Sequence, residues 1–362
     1  MSEKIYSVII GSGSYIPTRK ITNDDFLNHQ FYEADGKKIE TDNKVIIRKF
    51  SEITGIFERR YVTDDLVTSD IAYFAAKEAL DSSGVDGETL DYIIVAHNFG
   101  DIKEDNRRSE FVPTLASRVK HRLAIKNANT ICYDLPFGCA GWLQAMIQAN
   151  LYISSGVAKR VLCVGAETLS RIADPHDRDS MIYADGAGAL ILEAKRSEMA
   201  IGILSSASKN YAGEQAFALK MGRSNNPDYP ENHLFLKMQG RTIYEQALSI
   251  VPQVVQESLD RAGITVDDID TLLIHQANNK MDEAILKRMF EQYGMGGDVP
   301  EKIMPMTISW LGNSSVATLP TLYDLITKEK FEHHSIPKGS TIVFVSVGAG
   351  ININSVVYRV PK

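Results

Sequence analysis

One cysteine of the sequence stands where a nucleophile would be placed. Cys139 lies in Gly138-Cys139-Ala140-Gly141, between an apolar, strand-like stretch and an apolar-rich helix predicted from about Trp142. A thiol at such a turn lies beside the free N–H groups and the positive end of the helix dipole, which favour the thiolate. A free cysteine is also commonly a small buried apolar residue, so these residues alone leave both interpretations open. Cys132 and Cys163 lie inside strand patterns without glycines and are predicted to be structural.

His275 and Asn313 are two further polar candidates. His275 directly follows the apolar stretch Thr271–Ile274, and among the eight histidines only His97 shares this placement. The carboxyl ends of strands are where α/β folds build their sites. Asn313 lies in Gly312-Asn313-Ser314-Ser315, where a predicted helix begins. Taken alone, a structural histidine and a helix N-cap are the more ordinary explanations.

The C-terminal segment offers backbone groups rather than side chains. Ser346–Ser355 places Gly348 and Gly350 at the end of a predicted strand. Backbone N–H groups exposed at such a strand end are able to face an oxyanion. The sequence therefore predicts an anion-stabilising turn near the end of the chain.

These candidates must be positioned by an alternation of strands and helices. Short Val/Ile-rich runs alternate with longer helical patterns, which predicts an α/β sheet covered by helices on both faces. Two polar, turn-rich stretches, His29–Lys44 and Gly222–Asn232, are predicted to be surface excursions. The predicted strands include Ser7–Ile10, Tyr92–Ala96, Val161–Val164, Ala189–Leu192, Thr271–Ile274 and Ile342–Val347.

The chain contains an internal repeat. The segment Lys77–Val95 resembles Gln256–Ile274 at an offset of 179 residues, which aligns Gly84 with Gly263 and Asp91 with Asp270. A second, weaker similarity relates RVLCVGAE to TIVFVSVGAG in the same order. Two such similarities favour a duplicated architecture. We predict an N-terminal half, residues 1–197, that carries Cys139, and a C-terminal half, residues 198–362, that carries His275 and Asn313.

Composition excludes several classes of function. The 362 residues are 44% hydrophobic and 23% charged, with a net charge of −7. No apolar run is long enough for a membrane helix, and the N-terminus lacks signal-peptide features. Three cysteines make no disulfide framework or CxxC zinc pair, so no metal is expected. The acidic balance argues against nucleic acid as the main partner. We expect a soluble, cytoplasmic protein that does not bind membranes.

Several ordered motifs together resemble one family, the β-ketoacyl-acyl-carrier-protein synthase III family of thiolase-fold condensing enzymes. The resemblance implies a five-layered α-β-α-β-α fold built from two pseudo-duplicated halves, and a homodimer. The motifs are GSGSYIP, TGIFERRYV (Thr54–Val62), DLPFGCAGW, DPHDRDSMIYADGAGALILEA (Asp174–Ala194), MQGRTIYEQAL (Met238–Leu248), IHQAN, GNSS and VGAG.

The resemblance also implies a chemistry for the candidate residues. Cys139 would hold an acyl primer, and His275 and Asn313 would donate hydrogen bonds to the thioester carbonyl of malonyl-acyl-carrier protein while carbon dioxide leaves. The backbone N–H groups of Cys139 and Ala349 would form the oxyanion hole. Acyl-CoA or acyl-carrier-protein thioesters would be the substrates, with no further cofactor. The product would be a β-ketoacyl-acyl-carrier protein, in fatty-acid initiation or a related specialised pathway.

The acidic carrier protein of this family docks on basic side chains. Lys280, Lys287 and Arg288 follow the IHQAN motif, and Lys280 and Lys287 are seven residues apart, a spacing that returns to one helical face. An ordinary solvated face is the alternative. A further position that is often basic in the family is Glu245 here.

The sequence departs from the family around the substrate. The Trp and Arg that hold the adenine end of coenzyme A correspond to Lys49 and Ile53, whereas Arg171 matches another nucleotide-contacting arginine. The stretch His29–Lys44 looks inserted beside that entrance. Coenzyme A and carrier protein therefore both remain possible donors of the primer.

Two smaller residues in the predicted acyl site favour a longer or branched primer. Val347 replaces the usual Phe before the C-terminal glycines, and Val112 replaces the residue that crosses the dimer to close the acyl pocket.

Non-decarboxylating relatives form an alternative class, whether acyltransferases or Claisen enzymes. Such enzymes tend to use a glutamate base, for which Glu104 and Glu110, reaching into the site of a partner subunit, are the candidates. A non-catalytic scaffold subunit is a remote third alternative.

Overall fold

The fold is an α/β arrangement of thirteen strands and nine α-helices among the described residues, as seen in a computed structural model that describes residues 3–295, 299–300 and 302–362. The strands are β1 (Lys4–Tyr15), β2 (Arg19–Thr22), β3 (Glu58–Tyr61), β4 (Tyr92–Ala96), β5 (Ile131–Leu135), β6 (Arg160–Thr168), β7 (Asp185–Ser197), β8 (Gly202–Asn210), β9 (Leu219–Gly222), β10 (Phe235–Met238), β11 (Thr271–Ile274), β12 (Thr341–Gly348) and β13 (Asn352–Arg359). The helices are α1 (Asn43–Thr54), α2 (Thr68–Ser83), α3 (Leu115–Arg122), α4 (Gly141–Ser154), α5 (Ala212–Gln215), α6 (Gly240–Ala262), α7 (Asn279–Glu291), α8 (Ile308–Leu311) and α9 (Thr318–Thr327).

Two mixed sheets organise the chain. The first has the order β1-β7-β6-β4-β5, with β4 parallel to both β5 and β6, and the second has the order β11-β12-β13-β8. The last strand of the first sheet ends at Ser197, and the first strand of the second sheet begins at Gly202. Two short antiparallel strand pairs, β2 with β3 and β9 with β10, lie outside these sheets.

Helices cover both faces of each sheet and produce five layers. Helices α2 and α3 pack on the outer face of the first sheet, α4 and α9 lie between the sheets, and α6 packs on the second sheet and holds α7. Strands β4 and β6 are buried on both faces, which explains their continuous apolar sequences. The five-layered prediction is confirmed. No helix among the described residues combines the length and apolarity needed to cross a membrane.

The internal repeat has the same local structure in both copies. Gly84 and Gly263 end α2 and α6 in the left-handed conformation, with φ of 65° and 71°. The Asp91 carboxylate accepts a hydrogen bond from Arg160 N at the start of β6, and Asp270 accepts one from Thr341 N at the start of β12. The aligned aspartates therefore fix the register of equivalent strand pairs, as a duplicated architecture requires.

The two predicted surface excursions pack against each other. The Asn225 side chain donates to Tyr32 O, and Tyr32 N donates to His176 O. Beneath them the buried Asp174 carboxylate accepts from Asn225 N and is paired with the Lys237 ammonium. The stretch His29–Lys44 therefore forms, together with Gly222–Asn232, one surface layer that covers the Asp174 segment.

One buried carboxyl weakens the fold at neutral pH. Asp282 lies in the first turn of α7, is fully buried, and neither of its oxygens has a hydrogen-bond partner among the described residues. Burial raises the pKa of Asp282 well above its ordinary value. Because the folded pKa exceeds the unfolded one, the unfolded chain binds fewer protons, and stability falls as pH rises above about 4.

We expect Asp282→Asn to raise the free energy of unfolding at pH 8 by more than about 1 kcal/mol, since one unit of pKa shift is worth about 1.4 kcal/mol. The gain should disappear near pH 4. Urea unfolding at several pH values measures it, and Asp267→Asn, the same substitution at an exposed position, is the matched control. Equal effects of the two variants at every pH would show that Asp282 does not carry this pH dependence.

Candidate active site

Cys139, His275 and Asn313 line one cavity of about 230 Å³. Cys139 comes from the first half, at the start of α4, whereas His275 follows β11 and Asn313 follows α8 in the second half. The remaining wall is mainly apolar. It includes Phe99, Leu169, Tyr183, Leu219, Met221, Leu236, Met238, Ile243, Met281, Val347 and Ile351. The three residues that the sequence singled out are thus brought together on a site with apolar walls.

Two glycines allow the chain segments of the two halves to touch beside Cys139. Gly138 has φ of +66°, and a Cβ atom placed on it would lie 2.5 Å from Ala349 N. A Cβ atom on Gly348 would lie 2.4 Å from Cys139 N. Neither glycine can carry a side chain without displacing backbone. This close approach sets the backbone of Cys139 and Ala349 side by side on the cavity wall, as the oxyanion-hole prediction requires.

The Cys139 thiol differs from the sequence expectation in its protonation. Burial raises its pKa to about 11, although a hydrogen bond from Ser315 opposes this shift. The resting side chain is therefore a thiol and not the thiolate that its place at a helix start suggested. Desolvation of the charged form outweighs the dipole and hydrogen bonds in this enclosed position. Cys132 and Cys163 do not line the cavity, and Cys163 is buried in β6.

His275 is held as a neutral imidazole. Its backbone N donates to Val345 O at 2.9 Å, which fixes the residue at the end of β11. The side chain is buried, and this burial lowers its pKa to about 4. At physiological pH the ring therefore carries one proton and is able to donate one hydrogen bond. This is the form that stabilisation of an enolate requires.

The carboxamide of Asn313 is oriented by its own turn. Asn313 Oδ1 accepts a hydrogen bond from Ser315 N at 2.8 Å, so the amide nitrogen is the end available to a ligand. Backbone bonds to Ile182 O and from Ala184 N hold the turn against the start of β7. Ser315 has φ of +54°, an uncommon backbone conformation for a residue with a side chain. The geometry makes Asn313 a donor towards the cavity.

Two supporting residues were missed by the sequence analysis. Gln276 Oε1 accepts from the backbone N atoms of Thr307 and Ile308, and its amide donates to Pro305 O, which fixes the segment leading to Asn313. Arg59 is fully buried, and its Cβ atom lies 2.8 Å from the position of a Cβ atom on Gly312. Both lie within motifs already noted, IHQAN and TGIFERRYV, but their roles depend on contacts distant in sequence.

A second cavity of about 630 Å³ adjoins the first and shares Met238, Ile243, Ala277 and Met281 with it. Its wall contains Lys49 and Ile53 of α1, the two positions at which the sequence departs from the family. Arg178 and Arg241 also line it and were not predicted. The shared residues place the second cavity directly beside the one that contains Cys139, with cationic side chains on its wall.

Comparison with known proteins identifies the family. Residues 133–212 match the family model for 3-oxoacyl-[acyl-carrier-protein] synthase III, and residues 259–360 match the model for its C-terminal part. A β-ketoacyl-[acyl-carrier-protein] synthase III of Xanthomonas campestris is 32% identical, over 99% of this chain and 100% of its own length. The chain belongs to the β-ketoacyl-[acyl-carrier-protein] synthase III family.

Two more family members agree with this assignment. A β-ketoacyl-[acyl-carrier-protein] synthase III of Chelativorans is 30% identical, over 98% of this chain and 99% of its own. The crystal structure of the 3-oxoacyl-(acyl carrier protein) synthase III of Pseudomonas aeruginosa is 27% identical, with a TM-score of 0.79 over 99% of both chains. The predicted family and the predicted thiolase-like fold are both confirmed.

The three substrate-binding residues predicted from synthase III members lie at different places in the structure. Val347 lines the first cavity. Val112 lies outside both cavities and is 90% exposed, so it does not close this chain's own acyl site. Arg171 is engaged with other groups of the protein. Its guanidinium is buried, is paired with Glu104 and donates to Thr63 O, and it lines neither cavity. Contact of Arg171 with a nucleotide stays a prediction.

The predicted docking residues of a synthase III lie on α7. Lys280 and Lys287 are both exposed, and Lys287 is 3.8 Å from Glu291 one turn later. Arg288 is exposed but donates to Leu248 O at 3.2 Å, which ties α7 to α6. Lys280 and Lys287 therefore present the charge, while Arg288 also has a structural contact.

The two glutamates considered for a non-decarboxylating reaction are engaged elsewhere. Glu104 is paired with Arg171, and Glu110 is 3.0 Å from the Lys103 ammonium. The hydrogen bond from Lys103 lowers the pKa of Glu110, which makes its carboxylate a weaker base. Neither residue lines the cavity that contains Cys139.

Proposed function

We propose that this chain catalyses the decarboxylative condensation of an acyl primer with malonyl-acyl-carrier protein. The observation that carries the proposal is the convergence of Cys139, His275 and Asn313 on one apolar-walled cavity beside the Gly138 and Gly348 backbones. Family membership supports the same reaction, because the relatives are named for it. The product is a β-ketoacyl-acyl-carrier protein, and the reaction needs no resident cofactor.

The first step transfers the primer to Cys139. The Sγ atom forms a bond to the thioester carbonyl carbon, the bond from that carbon to the donor sulfur breaks, and the proton of Cys139 leaves on the released donor thiol. The backbone N–H groups of Cys139 and Ala349 stabilise the tetrahedral oxyanion. Because Cys139 rests as a thiol, its deprotonation accompanies binding of the donor rather than preceding it.

The second step forms the carbon–carbon bond. His275 and Asn313 donate hydrogen bonds to the thioester carbonyl of the malonyl group, and the bond to the carboxylate breaks to give carbon dioxide and an enolate. The enolate carbon then attacks the acyl carbon on Cys139, and the enzyme thiolate leaves. A neutral His275 suits this role because it supplies a proton donor without requiring protonation near pH 7.

The cavity suits an apolar acyl group. Leu169, Leu236 and Val347 are among its lining side chains, and Val347 leaves more room than an aromatic residue would. We propose that the primer is longer or more branched than an acetyl group. We propose that the second cavity is the approach to Cys139. Lys49, Arg178 and Arg241 line it, and their positive charges suit the phosphate that acyl-CoA and acyl-carrier protein share.

Intact-protein mass spectrometry tests the proposal. The protein is mixed with a panel of acyl-CoA and acyl-carrier-protein thioesters, alongside Cys139→Ala and, as a matched control, Cys132→Ala. We expect an acyl increment that the control retains and Cys139→Ala loses, followed by conversion to a β-ketoacyl product when malonyl-acyl-carrier protein is added. No increment from any donor would favour a scaffold role. Product without release of carbon dioxide would favour the non-decarboxylating alternative.

Carrier-protein docking gives a separate prediction. The paired variant Lys280→Glu/Lys287→Glu places negative charge on α7 and should weaken binding of the acidic carrier protein, with a rise in KM and little change in kcat. Binding should also weaken as salt concentration rises. Kinetics at several ionic strengths measure both effects, and Lys77→Glu on α2 serves as the control. An unchanged KM for the paired variant would exclude α7 as the docking surface.

We propose a homodimer that extends the first sheet. Strand β5 pairs with β4 on one side only among the described residues, so its other edge is available to a second copy. Phe111 and Val112 are exposed apolar residues that precede α3, which packs on β5. Light scattering measures the oligomeric state. A cytoplasmic location remains a prediction.

A further inference from the structure

A buried glutamate lies behind the nucleophile and takes no part in the reaction just described. Glu167 lies near the end of β6 and is fully buried, and Asn98 follows the neighbouring strand β4. Glu167 Oε2 accepts hydrogen bonds from Asn98 N at 3.1 Å and from Asn98 Nδ2 at 2.7 Å. Both donors of Asn98 therefore converge on one carboxylate oxygen, which holds the amide in a single orientation.

The amide held in this way points towards the site. Asn98 Nδ2 also approaches Ser315 Oγ at 3.4 Å, and a hydrogen bond from Ser315 lowers the pKa of the Cys139 thiol. If the oxygen of Ser315 accepts from Asn98, its own proton is left to donate to sulfur. Asn98, Cys139 and Ser315 all line the first cavity. Hydrogen bonds thus connect Glu167 through Asn98 to Ser315, which lines the same cavity as the nucleophile.

We propose that Glu167 is a positioning residue for the nucleophile, which acts through Asn98 to aim the Ser315 hydroxyl at the Cys139 sulfur. The inference refines the site of the proposed function. It concerns the thiol alone and needs no particular primer or partner. Ser315 also donates from its backbone N to Asn313 Oδ1, so the same residue connects the nucleophile with the predicted donor to the malonyl carbonyl.

Glu167 acts on Cys139 in two opposite ways. Its negative charge raises the pKa of the thiol, whereas the hydrogen bond from Ser315 lowers it, and the hydrogen bond is the larger of these two influences. Replacing the carboxylate therefore raises or lowers the reactivity of the Cys139 thiol, according to which influence the substitution removes. Loss of the charge alone makes the thiol more reactive. Loss of the oxygen that holds Asn98 makes it less reactive.

Glu167 itself changes charge near physiological pH. Burial raises its pKa to about 7, an effect that His97 and the N–H groups of Asn98 oppose. The titratable groups facing it are His97 after β4, Asp185 on β7 and Cys139 at the start of α4. His97 Nδ1 accepts from Gly100 N, and its Nε2 lies 3.0 Å from Asp134 Oδ2. The ionisation of Glu167 is therefore expected to change the charge beside Cys139 near pH 7.

Alkylation of Cys139 by iodoacetamide, followed by mass spectrometry between pH 6 and 10, tests the proposal. Glu167→Met removes charge and acceptor together, Glu167→Gln removes the charge but keeps an acceptor oxygen, and Ser315→Ala removes the hydroxyl. We expect Ser315→Ala to slow alkylation at pH 8 about five- to tenfold, the change that loss of one hydrogen bond produces. Glu167→Met should slow it by a smaller factor, because loss of the negative charge offsets part of the effect. Combined, they should slow it little further. Glu167→Gln should be no slower than the unaltered chain and should lose the inflection near pH 7.

The outcomes separate the possible roles of Glu167. Faster alkylation in Glu167→Met would show that its charge outweighs any positioning, and an unchanged pH profile would show that it is only structural. Either result overturns the proposal. So would a double variant, Glu167→Met with Ser315→Ala, in which the two reductions in alkylation rate multiply. Glu193→Gln, a carboxylate on β7 paired with Arg160, is the matched control, and Ser315→Ala supplies the test if Glu167→Met does not fold. Because alkylation requires neither thioester nor carrier protein, failure here is distinguishable from failure of the condensation.

Discussion

Asn313→Ala is expected to slow decarboxylation of the malonyl group by about 10²–10³ while acyl transfer to Cys139 continues at nearly its normal rate. The reason is the orientation of the carboxamide. Its oxygen is occupied by Ser315 N, so its amide is available to a carbonyl oxygen on which charge develops. Acyl transfer relies instead on the backbone at Cys139 and Ala349. Single-turnover assays that follow acyl-enzyme and carbon dioxide separately measure the two steps.

Two variants control this prediction. Asn313→Asp keeps an oxygen for Ser315 N but replaces the donor with an acceptor, so it should be at least as slow in decarboxylation. Ser314→Ala changes the adjacent residue, whose hydroxyl lies 3.4 Å from Thr318 Oγ1, and should leave both steps nearly unchanged. Equal loss of both steps in Asn313→Ala would show that Asn313 supports the whole site and not the enolate alone.

Gly348→Ala is expected to reduce acyl loading by about 10²-fold or more, since removal of one oxyanion donor has an effect of that size. The added Cβ atom would lie 2.4 Å from Cys139 N and 2.9 Å from Ala140 N. Both contacts are with backbone, so relief requires the turn around Cys139 to move away from Ala349. The displacement separates the two N–H groups that would stabilise the oxyanion. Rapid-quench mass spectrometry of acyl-enzyme formation measures the loss.

A second glycine separates this clash from the ordinary cost of substitution. Gly213 has no neighbour within 4 Å of an added Cβ atom, so Gly213→Ala should load at the normal rate. Thermal unfolding of both variants shows whether Gly348→Ala remains folded under the assay conditions. A folded Gly348→Ala variant that loads normally would show that the contact between the two segments is not needed for acyl transfer.

Much of the architecture was predictable because its signals are local. Strands β4 and β11 have the bounds predicted from their apolar runs, since strands buried on both faces are continuously apolar. Gly84 and Gly263 marked the ends of two helices because a left-handed residue there favours glycine. The sequence predicted only that Gly348 lies at a strand end that faces an oxyanion. The close approach of Gly348 to the backbone of Cys139 became visible only in the tertiary structure.

The sequence by itself determined the family, the duplicated halves, the strand ends beside Cys139 and His275, and the turn that carries Asn313, because these depend on residue types and short spacings. Only the tertiary structure decided the protonation of the site. Burial holds Cys139 as a thiol and His275 as a neutral ring, and it moves the pKa of Glu167 to about 7. Tertiary contacts also engaged Arg171 with Glu104 and away from both cavities. The physical reason is that desolvation and pairing arise from segments distant in sequence, which no local pattern records.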